Sequence, residues 1–346
     1  MYGGPARGTP GRVSSTHDDG DWDAVRLHVV TGKGGTGKTT VAAALGLALA
    51  SRGKTVLLCE VEGRQGIAQL FDVPPLPYQE RRIVGGPDDG GDLYALAIDT
   101  EAAFLEYLSM YYRLGRAGKA LDRFGVVDFA TTIAPGVRDV LLTGKVYEAV
   151  NRNRRTKDAR TYDAVVLDAP PTGRIAQFLN VNSELAGLAK VGPIRSQSDT
   201  VTTLLRSRRT AVHLVTLLED MPVQETIDGI EQLRHDRFPG GGVVVNLARP
   251  AELDDDERAL ARTGGVDAAA VRRNLERVGV RTSARLVDGL LAEAQEHAER
   301  RDLEDEQRKR LSTLDVPRYE LPRLPDGVDL GGLYELAAHL CRQGMA

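Results

Sequence analysis

The chain has 346 residues, 42% of them apolar, enough to bury the core of one large α/β domain. Its formal charge of −4 argues against nucleic acid as the main ligand. Two cysteines, Cys59 and Cys341, make neither a disulfide framework nor a metal-ligand pattern, so a reduced, cytoplasmic setting is expected.

Residues 1–23 are rich in glycine, serine and aspartate, show no signal-peptide pattern and are expected to form a disordered tail. The folded domain is placed at 24–346. It has no apolar run of about 18 residues, so no membrane span is predicted.

Val25 to Val30 reads as the first and central strand. Gly32-Lys33-Gly34-Gly35-Thr36-Gly37-Lys38-Thr39-Thr40 follows, and then the apolar run from Val41 to Ala50. Strand, glycine-rich turn and helix in that order are the context a phosphate loop requires. Glycines let backbone N–H groups bend around a phosphate, and the helix start adds partial positive charge. Gly34, Gly35, Thr36, Gly37, Lys38, Thr39 and Thr40 would therefore hold the terminal phosphates of a nucleotide. Lys38 would neutralise charge on the transferring phosphoryl group, and the Thr39 hydroxyl would ligate Mg²⁺. Lys33 is an extra cation, able to fold onto its own phosphates or to project into a partner's site. The competing reading is a glycine-rich turn without a ligand.

Thr55 to Cys59 predicts a parallel strand buried on both faces. The acidic run beyond it, Glu60-Val61-Glu62, faces the crevice where such sheets bind ligands. Glu62 would orient a water for attack on the γ-phosphate, or else be a solvated loop carboxylate. Leu93 to Ile98 is the third strand. From Glu101 to about Asn153 the spacing is helical, with a break at Pro135-Gly136. Together with 178–208 it predicts an inserted helical subdomain built from about 101–155 and 178–208. Asn151 to Lys157 reads as a solvated basic link.

Asp163 to Asp168 is a buried strand ending in an acid. That is the context of a carboxylate holding a metal-bound water beside a phosphate loop. Gly173, just beyond, would offer its N–H to the γ-phosphate. Ala211 to Thr216 is the next strand, with His213 a satisfied core histidine, and Pro222 starts a helix. Gly242 to Asn246 is another strand. The Asn246 amide can donate and accept together, which suits an adenine edge but equally a turn cap. Helices are predicted at Asp254 to Ala261, Ala268 to Val278 and Arg285 to Leu311. In the last, the charged run from Glu299 to Glu306 is expected to be a solvated face. Val316 to Leu321 is the last strand, and Leu330 to Cys341 a closing helix. The fold expected is an α/β P-loop NTPase, a mostly parallel sheet flanked by helices with an inserted helical subdomain.

These motifs together resemble the ArsA/Get family of ATPases, within the SIMIBI class of dimerising nucleotide hydrolases. Lys33 to Thr39 matches the deviant phosphate loop of that class, whose first lysine is its signature. Asp168-Ala169-Pro170-Pro171-Thr172-Gly173-Arg174 looks like the second switch of the family, with arginine for the usual histidine. Pro135-Gly136, Glu225-Thr226 and Asn246 match further family positions. The loop from Pro322 to Leu330 resembles the adenine-side loop, which adds Pro322 to the nucleotide contacts. Cys59 to Phe71 looks like the form found in paired ArsA-like anion-transporting ATPases of actinobacteria. The wider family activates water with an aspartate in this region, and this chain offers Glu62.

The resemblance implies Mg²⁺-dependent ATP hydrolysis by a dimer, formed with itself or with a homologous ArsA-like subunit. Lys33 would cross to the other subunit's phosphates. Nucleotide state would be coupled to a hydrophobic or membrane-associated client. A cytoplasmic protein is implied, with a peripheral place at a membrane as the alternative. Cys59 and Cys341 cannot supply the three-sulfur metalloid site of arsenite pumps or the Cys-x-x-Cys zinc site of the eukaryotic targeting factor. Two other readings compete: an ATP-binding carrier or scaffold with little turnover, and a metabolite kinase, for which no acceptor motif is seen.

Overall fold

A computed structural model describes residues 22–85, 91–112, 136–152, 160–188 and 193–346. Its strands are β1 (Leu27–Gly32), β2 (Val56–Glu60), β3 (Arg81–Val84), β4 (Leu93–Ala97), β5 (Ala164–Asp168), β6 (Thr210–Thr216), β7 (Gly240–Ala248) and β8 (Arg318–Pro322). They form one sheet in the order β3-β4-β2-β5-β1-β6-β7-β8. Among the described residues only the β3–β4 pair is antiparallel.

The apolar runs become strands because their side chains alternate between two cores. Leu57 faces one cluster and Leu58 the other, and Val29 and Val30 divide in the same way. On one face lie α1 (Lys38–Ser51), α2 (Gly66–Leu70) and α11 (Leu330–Arg342). Every residue of α1 from Val41 to Ala50 is buried. A helix apolar on all sides needs cover on all sides, and α11 supplies it opposite the sheet, through Leu333, Leu336 and Leu340. The other face is covered by α4 (Val137–Asn151), α5 (Thr172–Leu188), α6 (Pro193–Leu205) and α7 (Asp220–His235). Between β4 and α4 stands α3 (Thr100–Tyr112), and between β7 and β8 stand α8 (Asp255–Arg262), α9 (Ala268–Arg277) and α10 (Ala284–Ser312).

The order of elements follows the sequence expectation, with four differences, the first being the short helix α2, which was not anticipated. β3 was not anticipated: four residues, two of them exposed arginines, carry too little apolar signal for a strand. It closes the edge beside β4, and charged residues suit such an edge. Trp22, assigned to the tail, is buried and donates its indole N–H to the Tyr319 hydroxyl at 2.9 Å. The charged half of α10 is only in part a solvated face: Glu299, Arg300 and Glu306 are exposed, and the other charged residues of that run are not. Glu304 is only 6% exposed and accepts from Arg249 at 2.9 Å and Arg301 at 3.2 Å. Asp302 and Asp305 pair with Arg258 of α8. The charges there fasten α8 and β8 to α10, because their partners lie on neighbouring elements rather than in water.

His213 is fully buried, as expected of a core histidine. Its Nδ1 accepts from the Gly242 N–H at 3.0 Å, and its Nε2 lies 3.1 Å from His28 Nδ1. Pro135 and the stretches 113–135 and 153–159 lie outside the described residues, and with them much of the expected helical subdomain and basic link.

Candidate nucleotide site

β1 leaves the sheet at Gly32, level with Val215 of β6. A β-carbon at Gly32 would stand 2.2 Å from the Val215 carbonyl oxygen, so no other residue fits there without a shift. The chain then turns through 33–37 into α1. Thr36, buried, donates its hydroxyl to the Lys33 carbonyl at 2.8 Å, and its own carbonyl accepts from the Asn246 amide at 2.9 Å. Gly37 sits at φ 83° as the residue before α1, and a β-carbon on it would lie 2.3 Å from Asn246 Nδ2. The loop is thus clamped from behind. On its open side, β-carbons built on Gly34 and Gly35 meet no protein atom within 4 Å, and the same holds for Gly173.

Lys38, Thr39 and Thr40 form the first turn of α1. The Thr39 hydroxyl donates to Asp168 Oδ2 at 2.6 Å. Asp168 ends β5, level with Val30 on one side and Glu60 on the other. Burial pushes its carboxyl up to about 6, Glu60 and Glu62 add to the rise, and the Thr39 hydrogen bond and the Lys38 charge oppose it. Its second oxygen, Oδ1, is buried without a hydrogen-bond partner. A buried carboxylate oxygen left unmatched is costly. It stands beside a hydroxyl at the mouth of a glycine loop, and the two are hard oxygen donors of the kind Mg²⁺ takes. Among the described residues no cluster of three or more His, Cys, Asp and Glu forms a separate metal site.

The other residues singled out by the sequence divide into those brought to this crevice and those at its margin. Glu62 lies beyond β2, partly buried, with its carboxylate 3.6 Å from Arg64 Nε. Lys33 pairs with Glu225 of α7 at 2.5 Å. Asn246 uses one amide hydrogen on Thr36, leaving its oxygen and second hydrogen for another partner. Pro322 ends β8 opposite Ala248, two residues beyond Asn246.

Four contributors were not picked out by motif. Glu60 was read only as part of an acidic run, yet it is buried and accepts from the N–H groups of Gly66 at 3.4 Å and Ile67 at 3.2 Å, capping α2. An acid closing an otherwise apolar strand was the available signal. Thr31 donates to the Pro170 carbonyl at 2.7 Å and ties β1 to the loop after Asp168. At the start of α4, Arg138 donates to the Val61 carbonyl at 3.2 Å, and Asp139 lies 3.6 Å from Arg174. That helix start therefore touches the loop after β2 and the first turn of α5, on the two sides of the crevice.

The profile of the anion-transporting ATPase family matches residues 25–201, which takes in the glycine loop, Glu62, Asp168 and Gly173. The chain belongs to this ArsA/Get-type ATPase family. It is 55% identical over 343 residues to ATPase BagA of Mycobacterium tuberculosis, covering 99% of this chain and 98% of that protein. A protein of Aquifex aeolicus whose name assigns it to arsenical pump driving is 29% identical over 159 residues, 45% of this chain and 38% of its own. The get3 ATPase of Neurospora crassa is 28% identical over 178 residues, 51% of this chain and 49% of its own. Asn246 and Pro322 lie beyond the span of the family profile and are covered by the mycobacterial relative.

Proposed function

We propose that the chain is a Mg²⁺-dependent ATPase that works as a nucleotide-controlled dimer. The observation that carries this reading is Asp168: a buried carboxylate with one oxygen on Thr39 and the other unmatched, set at the end of a strand beside the glycine loop. Backbone N–H groups of 34–40 would take the β- and γ-phosphates, and Lys38 would offset charge developing on the transferring phosphoryl group. Thr39 would hold Mg²⁺ directly and Asp168 through water. When bound, the ion would shield the phosphate oxygens and favour departure of ADP. Glu62 would orient the attacking water, and Gly173 would donate its N–H to the γ-phosphate. The adenine would lie between Asn246 and Pro322.

Lys33 would leave Glu225 and reach the phosphates of a second subunit, either a copy of this chain or a homologous ArsA-like one. Closure would then be part of hydrolysis. The start of α4 touches the loop after β2 and the first turn of α5, so a change at the γ-phosphate would be felt by the helices on that face. This suits the handling of a hydrophobic or membrane-associated client by a cytoplasmic protein.

One observation favours a slower variant of this function, an ATP-binding carrier with little turnover: the Glu62 carboxylate is engaged by Arg64. Steady-state phosphate release with and without Mg²⁺, alone and with a homologous partner chain, tests both. Release that requires Mg²⁺ supports the ATPase. Tight ATP binding with no release in either setting supports the carrier, and no Mg²⁺-dependent ATP binding at all removes both.

A further inference from the structure

The turn joining α9 to α10 carries exposed apolar and basic side chains together. Val278 is 72% exposed and Val280 41%, and Leu286 and Leu290 are exposed one helical turn apart on α10. No residue of α9 is buried. Over 267–290 the arginines Arg272, Arg273, Arg277, Arg281 and Arg285 stand against Asp267, Glu276 and Asp288, a net charge of +2 in a chain whose total is −4, and Arg273 pairs with Asp267 at 3.5 Å. All five arginines are exposed. Arg272, Arg281 and Arg285 make no ion pair among the described residues, and Glu276 is engaged by the Thr282 hydroxyl at 2.6 Å.

The contrast with the other end of α10 is informative. There, acidic and basic groups meet partners on α8 and β8, and Arg301 is only 14% exposed. At the turn, cations are left in excess beside bare valines and leucines. The turn itself is well built: the N–H groups of Val278 and Val280 both donate to the Leu275 carbonyl, and Ser283 caps α10 at Leu286. It is a fixed surface carrying exposed apolar groups and unmatched positive charge.

We infer that the α9–α10 turn docks on an anionic lipid bilayer, its valines and leucines entering the headgroup boundary and its arginines facing lipid phosphates. Basic residues around a short apolar face are the pattern that partitions to such an interface, and the charge excess selects an anionic surface over a neutral one. Among the described residues no helix is long and apolar enough to cross a membrane.

The test is flotation of the full chain with vesicles of phosphatidylcholine carrying about one-third phosphatidylglycerol, against phosphatidylcholine alone. Binding to the anionic vesicles only, weakened by raised salt, is expected. The variant Arg277→Glu/Arg281→Glu/Arg285→Glu should lose at least about tenfold in partition. Val278→Ser/Val280→Ser should weaken binding with its charge intact. Both should keep the wild-type melting curve, since all five positions face solvent. Equal binding to both vesicle types, binding to neither, or full retention by the variants overturns the proposal. So does loss of self-association in place of lipid binding, which would make the turn a protein contact. The readout is lipid binding alone and stands whether or not the chain hydrolyses ATP.

Discussion

Lys33 Nζ lies 2.5 Å from Glu225 Oε1 of the same chain, so the additional cation of the phosphate loop is held by α7. Both side chains are about one-third exposed. A pair so placed contributes at most about 1 kcal/mol, which leaves it easy to exchange for a phosphate partner. Replacing Lys33 with alanine should slow phosphate release by at least about tenfold while leaving the melting midpoint nearly unchanged. Wild-type turnover in that variant would remove Lys33 from the mechanism. Glu225→Gln should likewise cost under about 1 kcal/mol of stability by denaturant titration.

Asp168 sets a pH dependence in the metal-free protein. Its folded carboxyl is raised to about 6 by burial, from an ordinary 3.8. The folded state therefore holds this proton more tightly than the unfolded one. Ionised Asp168 destabilises the fold fully above about pH 6, and the penalty is relieved as pH falls towards 3.8. With chelator present, Asp168→Asn should be more stable than wild type at pH 8, by up to about 3 kcal/mol. The gap should close below about pH 4. Added Mg²⁺ should stabilise wild type and not the variant. A constant gap across pH would contradict the assignment.

Gly37 and Asn246 form a steric and hydrogen-bonded unit. Gly37→Ala meets both a left-handed backbone and a β-carbon 2.3 Å from the Asn246 amide, so ATP binding should be lost. Asn246→Ala should cost about 1–2 kcal/mol by leaving the Thr36 carbonyl unmatched. Combining the two removes the clash but not the backbone strain, so the double variant should be less damaged than the sum of the single ones. Nucleotide titration and thermal melts read both effects.

The two acids after β2 should separate cleanly. Glu62→Gln is expected to keep ATP affinity and slow phosphate release, and unchanged release would mean another group places the water. Glu60→Gln should weaken the cap on α2 and destabilise the fold by about 1 kcal/mol or more, with Glu62-type kinetics absent. Because Glu60 raises the Asp168 carboxyl, its neutralisation should also shift the Asp168 transition to lower pH.

Much of this site could be read from local chemistry. Gly32 to Thr40 carries its own signal because strand, glycines and helix are contiguous. Asp168 is legible as an acid closing an apolar strand. What escaped depends on contacts between distant segments. No spacing announces that Asn246 braces Thr36 across 210 positions, or that Lys33 meets Glu225 on another helix. The run from Glu299 to Glu306 looks solvated for the same reason: its partners, Arg249, Arg258 and Glu320 through Arg308, come from elements that only the fold brings near. β3 escaped because an edge strand of four residues is defined by its neighbour rather than by its own pattern.

Arg310, near the C-terminal end of α10, donates to Asp220 at 2.6 Å and to Gln224 at 2.5 Å, and Gln224 is the chain neighbour of Glu225. The 29 residues of α10 make a rod of about 44 Å. Its root thus grips the helix that holds Lys33, and its far end carries Leu286 and Arg285. A tilt of about 5° at the root sweeps that end through about 4 Å, so a slight adjustment of α7 is magnified, as at the tip of a lever, where the molecule meets its surroundings.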